Sequence, residues 1–283
     1  MENRDPVRRH NVPVSSGPDT YTHGHQEAVL RAHRWRTAEN SATHLLPLLR
    51  PGMRLLDVGS GPGTLTADLA RRVAPGEVVG IDVVASVVEE ARRHAAEAGV
   101  SNLTFECGDF RDVGLVQASF DVVHAHQVLQ HLREPVPALA AMARLARPGG
   151  VVAARDADYS AMTWAPADDR IARWLEVYLA VTRRNGAEPN GGRWLLSWAH
   201  AAGLSDVTYT TSTWTFATPA DREWWGGQWA ERTVASSFAE QAVRYEIATA
   251  AELAEIAEGW LEWAREPDAV FFVVHGEIVA RVG

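Results

Sequence analysis

Residues 55 to 63 read Leu55-Leu56-Asp57-Val58-Gly59-Ser60-Gly61-Pro62-Gly63, and an alanine- and leucine-rich run, Thr64 to Val73, follows them. An apolar stretch ending in an acid, three alternate glycines and a helix-forming segment describe a strand that turns sharply into a helix. Alternate glycines open backbone conformations closed to other residues and let a ligand lie against bare amide groups beside a helix N-terminus. The turn therefore reads as a cradle for a nucleotide or nucleotide-like cofactor, although tight strand-to-helix turns also occur without a ligand.

The flanking sequence repeats the alternation. Strand 54–58 and helix 64–73 lead through Pro75-Gly76 to a strand Val78-Val79-Gly80-Ile81-Asp82, a helix 85–98 ended by Gly99, and a strand at Leu103 to Glu106. A fourth strand, Phe120 to Ala125, precedes helices at 127–132 and 136–146, and the turn Arg147-Pro148-Gly149-Gly150 restarts a strand at Val151. Parallel neighbours need crossover helices, so the pattern predicts an α/β, Rossmann-like doubly wound sheet. Two late strand-like stretches, 206–217 and 270–282, would close it at seven strands. Ligands in such sheets lie at the carboxyl ends of the strands, here the glycine turn, Asp82, Gly108-Asp109-Phe110, Ala125-His126 and Asp156.

The outer parts differ in character. Residues 1–19 carry Pro6, Pro13, Gly17 and Pro18 with no hydrophobic period and read as a mobile tail. Residues 20–50 form an N-terminal helical segment, with Ala28, Val29, Ala32, Trp35, Ala38, Ala42, Leu45 and Leu46 at helical spacing. The core is assigned to 51–158, and 159–283 to cap helices plus closing strands. Trp35 is the one tryptophan of the first half, and the other ten of the 11 fall between Trp164 and Trp263, so the two halves do different work.

Composition removes several classes. A 283-residue chain with 46% apolar residues has ample material for a buried core. The net charge of -9 argues against a nucleic-acid backbone as partner, and no apolar run approaches the roughly 20 residues that span a bilayer. With no apolar leader behind its polar N-terminus, the chain reads as cytoplasmic and without a membrane partner. The lone Cys107 excludes an intramolecular disulfide and a cysteine-based zinc site.

Asp82, 19 residues beyond Gly63, is placed to accept hydrogen bonds from both hydroxyls of a ribose. The dinucleotide pattern fails, however, because Thr64 stands where its third glycine belongs, and Asp57 would repel a pyrophosphate. A cationic, adenosine-containing ligand fits better. In this respect the chain resembles class I S-adenosylmethionine-dependent methyltransferases. The matching pieces are the stretch 55–63, Val79-Gly80-Ile81-Asp82, Gly108-Asp109-Phe110, Phe120-Asp121-Val122-Val123, Leu129-Gln130-His131-Leu132 and Arg147-Pro148-Gly149-Gly150, in the family's order. The core is most similar to the ubiquinone/menaquinone-biosynthesis type. Arg155-Asp156-Ala157-Asp158-Tyr159 with its Trp-rich continuation resembles actinobacterial small-molecule (natural-product) methyltransferases.

The resemblance implies S-adenosylmethionine as cofactor, S-adenosylhomocysteine as product, and a set of contacts. Gly59, Ser60 and Gly61 would line the methionine and ribose, with Asp57 among the cofactor contacts, and Asp82 would hold the ribose diol. Val83 would pack on the adenine, Asp109 would accept from its amino group, and Gly108 and Phe110 would complete that wall through the backbone. Ala125 and His126 would sit by the sulfonium and ammonium, and Arg36 would meet the methionine carboxylate. Tyr21 is a candidate lid residue.

Methyl transfer is an in-line displacement, and a base is needed only when the nucleophile carries a proton that hinders attack. His126 and Asp156, at strand ends, and His131 are the candidates, whereas His124, inside a strand, reads better as a packed imidazole. Asp156 and Asp158 share one face of an extended segment, but no second set of acids accompanies them and no metal is expected. The tryptophans favour a hydrophobic or aromatic small-molecule acceptor, with most of them in the cap core and a few facing the cleft. Their π faces would stabilise a cation, which suits methylation at carbon of a prenylated or indole-type acceptor, with cyclisation. O- or N-methylation, a cofactor-binding cyclase or module without transfer, and a nicotinamide-dependent reductase remain as alternatives. The N-terminal helix would dock on its own subunit or on a neighbour's, so a homo-oligomer is among the expected partners.

Overall fold

The computed structural model describes Thr22 and residues 33–283. The tail at 1–19, Tyr21 and the start of the N-terminal helical segment lie outside the described residues. Five parallel strands, β1 (Leu55–Val58), β2 (Val78–Asp82), β3 (Leu103–Cys107), β4 (Phe120–His126) and β5 (Ala146–Ala157), form the expected doubly wound half. Two further strands, β6 (Thr163–Ala165) and β8 (Val270–Arg281), complete the order β3-β2-β1-β4-β5-β8-β6, and β7 (Asp206–Phe216) runs antiparallel along β8. The sheet thus has the seven expected strands and the three-residue β6 as an eighth.

The reversal of strand order falls between β1 and β4, where a crevice opens because the crossover helices leave on opposite faces. One face of the sheet packs on α2 (Thr64–Val73) and α3 (Ala85–Glu97) through Leu69, Val73, Val88 and Ala91, and the other packs on α4 (Pro135–Leu145) and α6 (Gly191–Ala201) through Leu139, Met142 and Leu195. A third core belongs to the cap helices α5 (Asp169–Arg184), α7 (Pro219–Val234), α8 (Ser237–Arg244) and α9 (Ala250–Arg265). Their starts are encoded locally. Asp168 caps α5 by accepting from the amides of Arg170 and Ile171, and Thr218 with Asp221 and Thr249 with Glu252 form capping boxes on α7 and α9. Trp174, Trp229 and Trp260 meet around Phe271 of β8, which fastens the cap to the sheet.

Two expected helical stretches are interrupted. Among the described residues the N-terminal segment holds helical His33 and Arg34, α1 (Ala38–Ser41) and a 3-10 turn at Leu46–Leu48. A capping box at Thr37 and Asn40 starts a new element there, and Pro47 lacks the amide an α-helix would need. The spacing still identified the buried face, since Ala38, Ala42 and Leu45 have no exposure. At 127–132 the chain makes only a 3-10 turn, Leu129–His131. Gln127 takes φ 53°, and its amide donates to the Arg155 carbonyl at 2.7 Å, which aims its side chain into the crevice instead of starting a helix.

Candidate active site and cofactor cradle

All three glycines of the turn adopt left-handed backbone, with φ 68° at Gly59, 55° at Gly61 and 80° at Gly63. A methyl on Gly59 would lie 2.5 Å from Val128 Cγ2, and one on Gly63 would lie 2.7 Å from the Phe105 ring, so both are needed for close approach. The Gly59 and Ser60 amides donate to the Ile81 carbonyl at 2.8 and 3.0 Å. One oxygen of Asp82 accepts from the Gly61 amide at 3.1 Å and the other from the Val84 amide at 3.0 Å. The carboxylate is thereby fixed at the lip of the turn. Buried Ser60 Oγ finds no hydrogen-bond partner among the described residues, and Val83, 67% exposed, offers an apolar shelf beside Asp82. These features fit an adenosyl ligand.

Two of the expected cofactor contacts are engaged within the protein. Asp57 is buried with one oxygen 2.8 Å from His124 Nδ1 and the other accepting from Thr66 Oγ1 at 2.6 Å, so it braces β1, β4 and α2 from behind the turn. His124 is accordingly a packed imidazole. Asp109 is held by Arg111, whose Nε donates to its two oxygens at 2.8 and 3.0 Å, and this pairing keeps the carboxyl below its usual range. Phe110 is buried behind Asp109, and the Gly108 amide donates to the Asp82 carbonyl at 2.9 Å.

At the ends of β4, β5 and β8 the structure gathers a polar network. Arg155 Nε donates to Glu277 and to Ser212 at 3.1 Å each, and Thr210 donates to the second Glu277 oxygen at 2.9 Å. His275 lies 3.0 Å from an Arg155 amino group and 2.9 Å from Gln127 Nε2, and Arg36 donates to Gln127 Oε1 at 2.6 Å. His126, buried beside Ala125 at the end of β4, stacks near Trp214 and His275 at 5.6 and 6.3 Å between ring centroids. Burial, then the charges of Arg36 and Arg155, hold the His126 pKa well below the usual imidazole range. It is therefore neutral at pH 7, with no hydrogen-bond partner for either nitrogen among the described residues.

Three other candidates sit differently. Asp156 follows Arg155 on an extended strand, so its side chain leaves the opposite face, toward Gln130 and Gly191. Burial pushes its carboxyl up to about 7, against the pull of the Gln130 and Val128 amides and of Arg155. Asp158 is paired bidentately with Arg193 at 2.5 and 2.6 Å. His131 is half-buried with Nε2 3.2 Å from Gln130 Nε2, and burial lowers its pKa. Among the described residues no three histidines, cysteines or acids come together as a metal site.

Over the His126 side of the sheet lies a narrow, aromatic-walled chamber of about 30 Å³, smaller than a small-molecule site. Trp35, Trp214, Trp224, Trp225, Trp229 and Tyr159 face it. His33, Arg36 and Gln127 form its border with the cradle; a methyl on Gly61 would stand 3.7 Å from His33 Nδ1, and Thr64 donates to the His33 carbonyl at 3.2 Å. Trp174 belongs to the cap core instead, and Trp194 lies on the surface of α6, 46% exposed. Glu277, His275, Gln127 and Arg232, which also lines the chamber, are not singled out by the sequence reading. One signal was present: His275 and Glu277 interrupt an apolar strand two residues apart, hence on one face.

A glycine cradle at the switch point, an acid fixed at the end of β2 and an aromatic chamber beside it define a Rossmann-like enzyme that joins an adenosyl cofactor to a small molecule. Residues 49–208 match the methyltransferase domain family, and the chain belongs to it. An uncharacterized methyltransferase of Schizosaccharomyces pombe is 29% identical over 92% of this chain and 96% of its own length. The nocamycin O-methyltransferase of Saccharothrix syringae is 43% identical over 38% of this chain, which spans 40% of that enzyme. Among solved structures, the 4+2 cyclase SpnF superposes with TM-score 0.53 and 25% identity over 94% of this chain and 89% of its own. Structures of this fold include methyltransferases holding S-adenosylmethionine or S-adenosylhomocysteine. The chain is an S-adenosylmethionine-dependent methyltransferase of small molecules. No helix among the described residues is long and apolar enough to cross a membrane.

Proposed function

We propose that the acceptor is a flat, unsaturated or aromatic small molecule of the secondary-metabolite kind, bound at the tryptophan chamber, which widens to admit it. The supporting observation is the chamber itself, five indoles and a tyrosine bordering the cradle at His33, Arg36 and Gln127. The cofactor supplies a methyl group activated by a sulfonium. On this reading Gly59, Ser60 and Gly61 give room for it, Asp82 accepts from the ribose hydroxyls, Val83 supports the adenine and Arg36 meets the carboxylate. A contact from Asp109 to the adenine amino group shares that carboxylate with Arg111.

His126 is the residue best placed to take a proton from an acceptor. It is neutral at pH 7 and its ring centroid lies 5.6 Å from that of Trp214, which lines the chamber, but the burial that lowers its pKa also makes it a weak base. A carbon nucleophile needs no such base before attack, and the indole faces would stabilise the cation left on the acceptor. The similarity to a cyclase favours a second reading, in which the chamber folds a polyene and transfer is lost. Incubation with methyl-labelled cofactor and a panel of indoles, phenols and prenylated aromatics separates the two. Label on carbon supports the first reading, and label on oxygen or nitrogen moves the site of transfer to the heteroatom. An unlabelled cyclic isomer selects the second.

A further inference from the structure

β5 pairs with residues 275–281 of β8 and β6 with residues 270–272, both on one side of that strand, while β7 pairs with residues 271–281 on the other. β7 is therefore an edge of the sheet, and no other described strand lies beyond it. It is 11 residues long, its register with β8 runs without a bulge from Asp206 to Phe216, and Thr208, Thr210, Thr211, Thr213 and Thr215 are exposed. An edge of unpaired amides and carbonyls is a template for a further strand, and proteins usually blunt it with charge, proline, a bulge or brevity. The opposite edge, β3, is 5 residues long and exposes Glu106. β7 has none of these devices along its length: Asp206, its first residue, is its only charged one, and it holds no proline or glycine.

The strand is also complementary to itself. An antiparallel pairing of two copies that overlaps the whole of β7 sets Thr211 opposite its own copy, Thr210 opposite the second copy's Ser212, and Tyr209 opposite the second copy's Thr213. Hydroxyl pairs and aromatic–β-branched pairs of this kind are favourable across strands. Asp206 meets Phe216, so no like charges face each other, although each chain carries a net charge of -9. At about 3.4 Å per residue the strand spans about 34 Å, and a strip roughly 15 Å deep with its side chains buries roughly 1,000 Å² over the two partners, the area at which a specific interface becomes stable. We infer that β7 is a dimer interface, at which a second copy of this chain adds its own β7 in antiparallel register about Thr211 and joins the two eight-stranded sheets into one.

The test combines sedimentation equilibrium of the full-length protein at about 50 µM, since association depends on concentration, with disulfide mapping in a Cys107→Ser background that removes the exposed native thiol. The wild type should sediment at twice the chain mass. Thr211→Lys sets like charges directly opposite each other at the centre of the pairing and should weaken dimerisation by at least about tenfold. Thr211→Cys should cross-link to its own copy on mild oxidation, because facing Cα atoms in an antiparallel pair stand roughly 4.5–5.5 Å apart, within the span of a disulfide. Thr213→Cys, whose copy stands about 14 Å away in that register, should not. S-adenosylhomocysteine affinity, measured on each variant, reports whether the fold survives, and if Thr211→Lys fails to fold the two cysteine variants decide alone. A monomeric wild type overturns the inference and leaves the edge to a strand of another protein. A dimer that Thr211→Lys leaves undiminished, or that cross-links through Thr213→Cys and not through Thr211→Cys, overturns the assignment to β7 in this register.

Discussion

Asp156 offers a sharp test, because its burial has a sign that can be followed with pH. Its carboxyl is raised from 3.8 to about 7 in the folded protein, by burial. Below about pH 4 the folded and unfolded chains both hold the proton and the site costs nothing. Between about 4 and 7 only the folded chain holds it, so stability falls as pH rises, and above 7 the cost is constant. Holding the proton over roughly three further pH units, at about 1.36 kcal/mol for each, amounts to about 4 kcal/mol. Asp156→Asn keeps the shape and removes the titration. Urea unfolding followed by tryptophan fluorescence at half-unit steps from pH 4 to pH 8 should show the variant equal to wild type at the acid end. It should be more stable by up to about 4 kcal/mol at pH 8. Because the side chain leaves the sheet on the face away from the chamber, turnover should change by less than about threefold. A difference in stability that does not grow with pH, or a variant less stable at pH 8, would refute the reasoning.

Two further outcomes follow from the geometry. Gly59→Ala forces a methyl 2.5 Å from Val128 Cγ2 on backbone at φ 68°, so S-adenosylhomocysteine binding should be lost and stability should fall by about 1–3 kcal/mol, read by calorimetry and thermal unfolding. Glu277→Gln leaves Arg155 buried without its charge partner and should destabilise by about 3 kcal/mol, whereas Arg155→Met combined with Glu277→Leu should recover most of that loss; a double variant as unstable as the single one would show that the pair does more than neutralise itself.

The order of strands and helices around the glycine turn was legible because each element announces itself locally, by apolar period, by Pro and Gly stops, and by acids at strand ends. The same locality explains where the reading stopped. In the segment 20–50 the amphipathic spacing hid a local break, the capping box of Thr37 with Asn40, whereas at 127–132 Gln127 turns left-handed to reach the Arg155 carbonyl, a partner far along the chain. Asp156 and His126 looked equivalent as polar residues at strand ends. A period of two residues on β5 and β4, combined with the pairing of His126 with Arg155, sets them on opposite faces of the sheet.

By itself, then, the stretch 55–63 with Asp82 determined a cofactor cradle, because the backbone conformations and the carboxylate it requires are properties of single residues at fixed spacing. Which tryptophans line the chamber, that Asp57 braces His124 and Thr66, and that Arg155, Glu277, His275 and Gln127 form one network were decided only by the tertiary structure. Those neighbours come from segments as far apart as Trp35 and Trp229, or Gln127 and His275, and side-chain spacing along a chain carries no information about what packs across it.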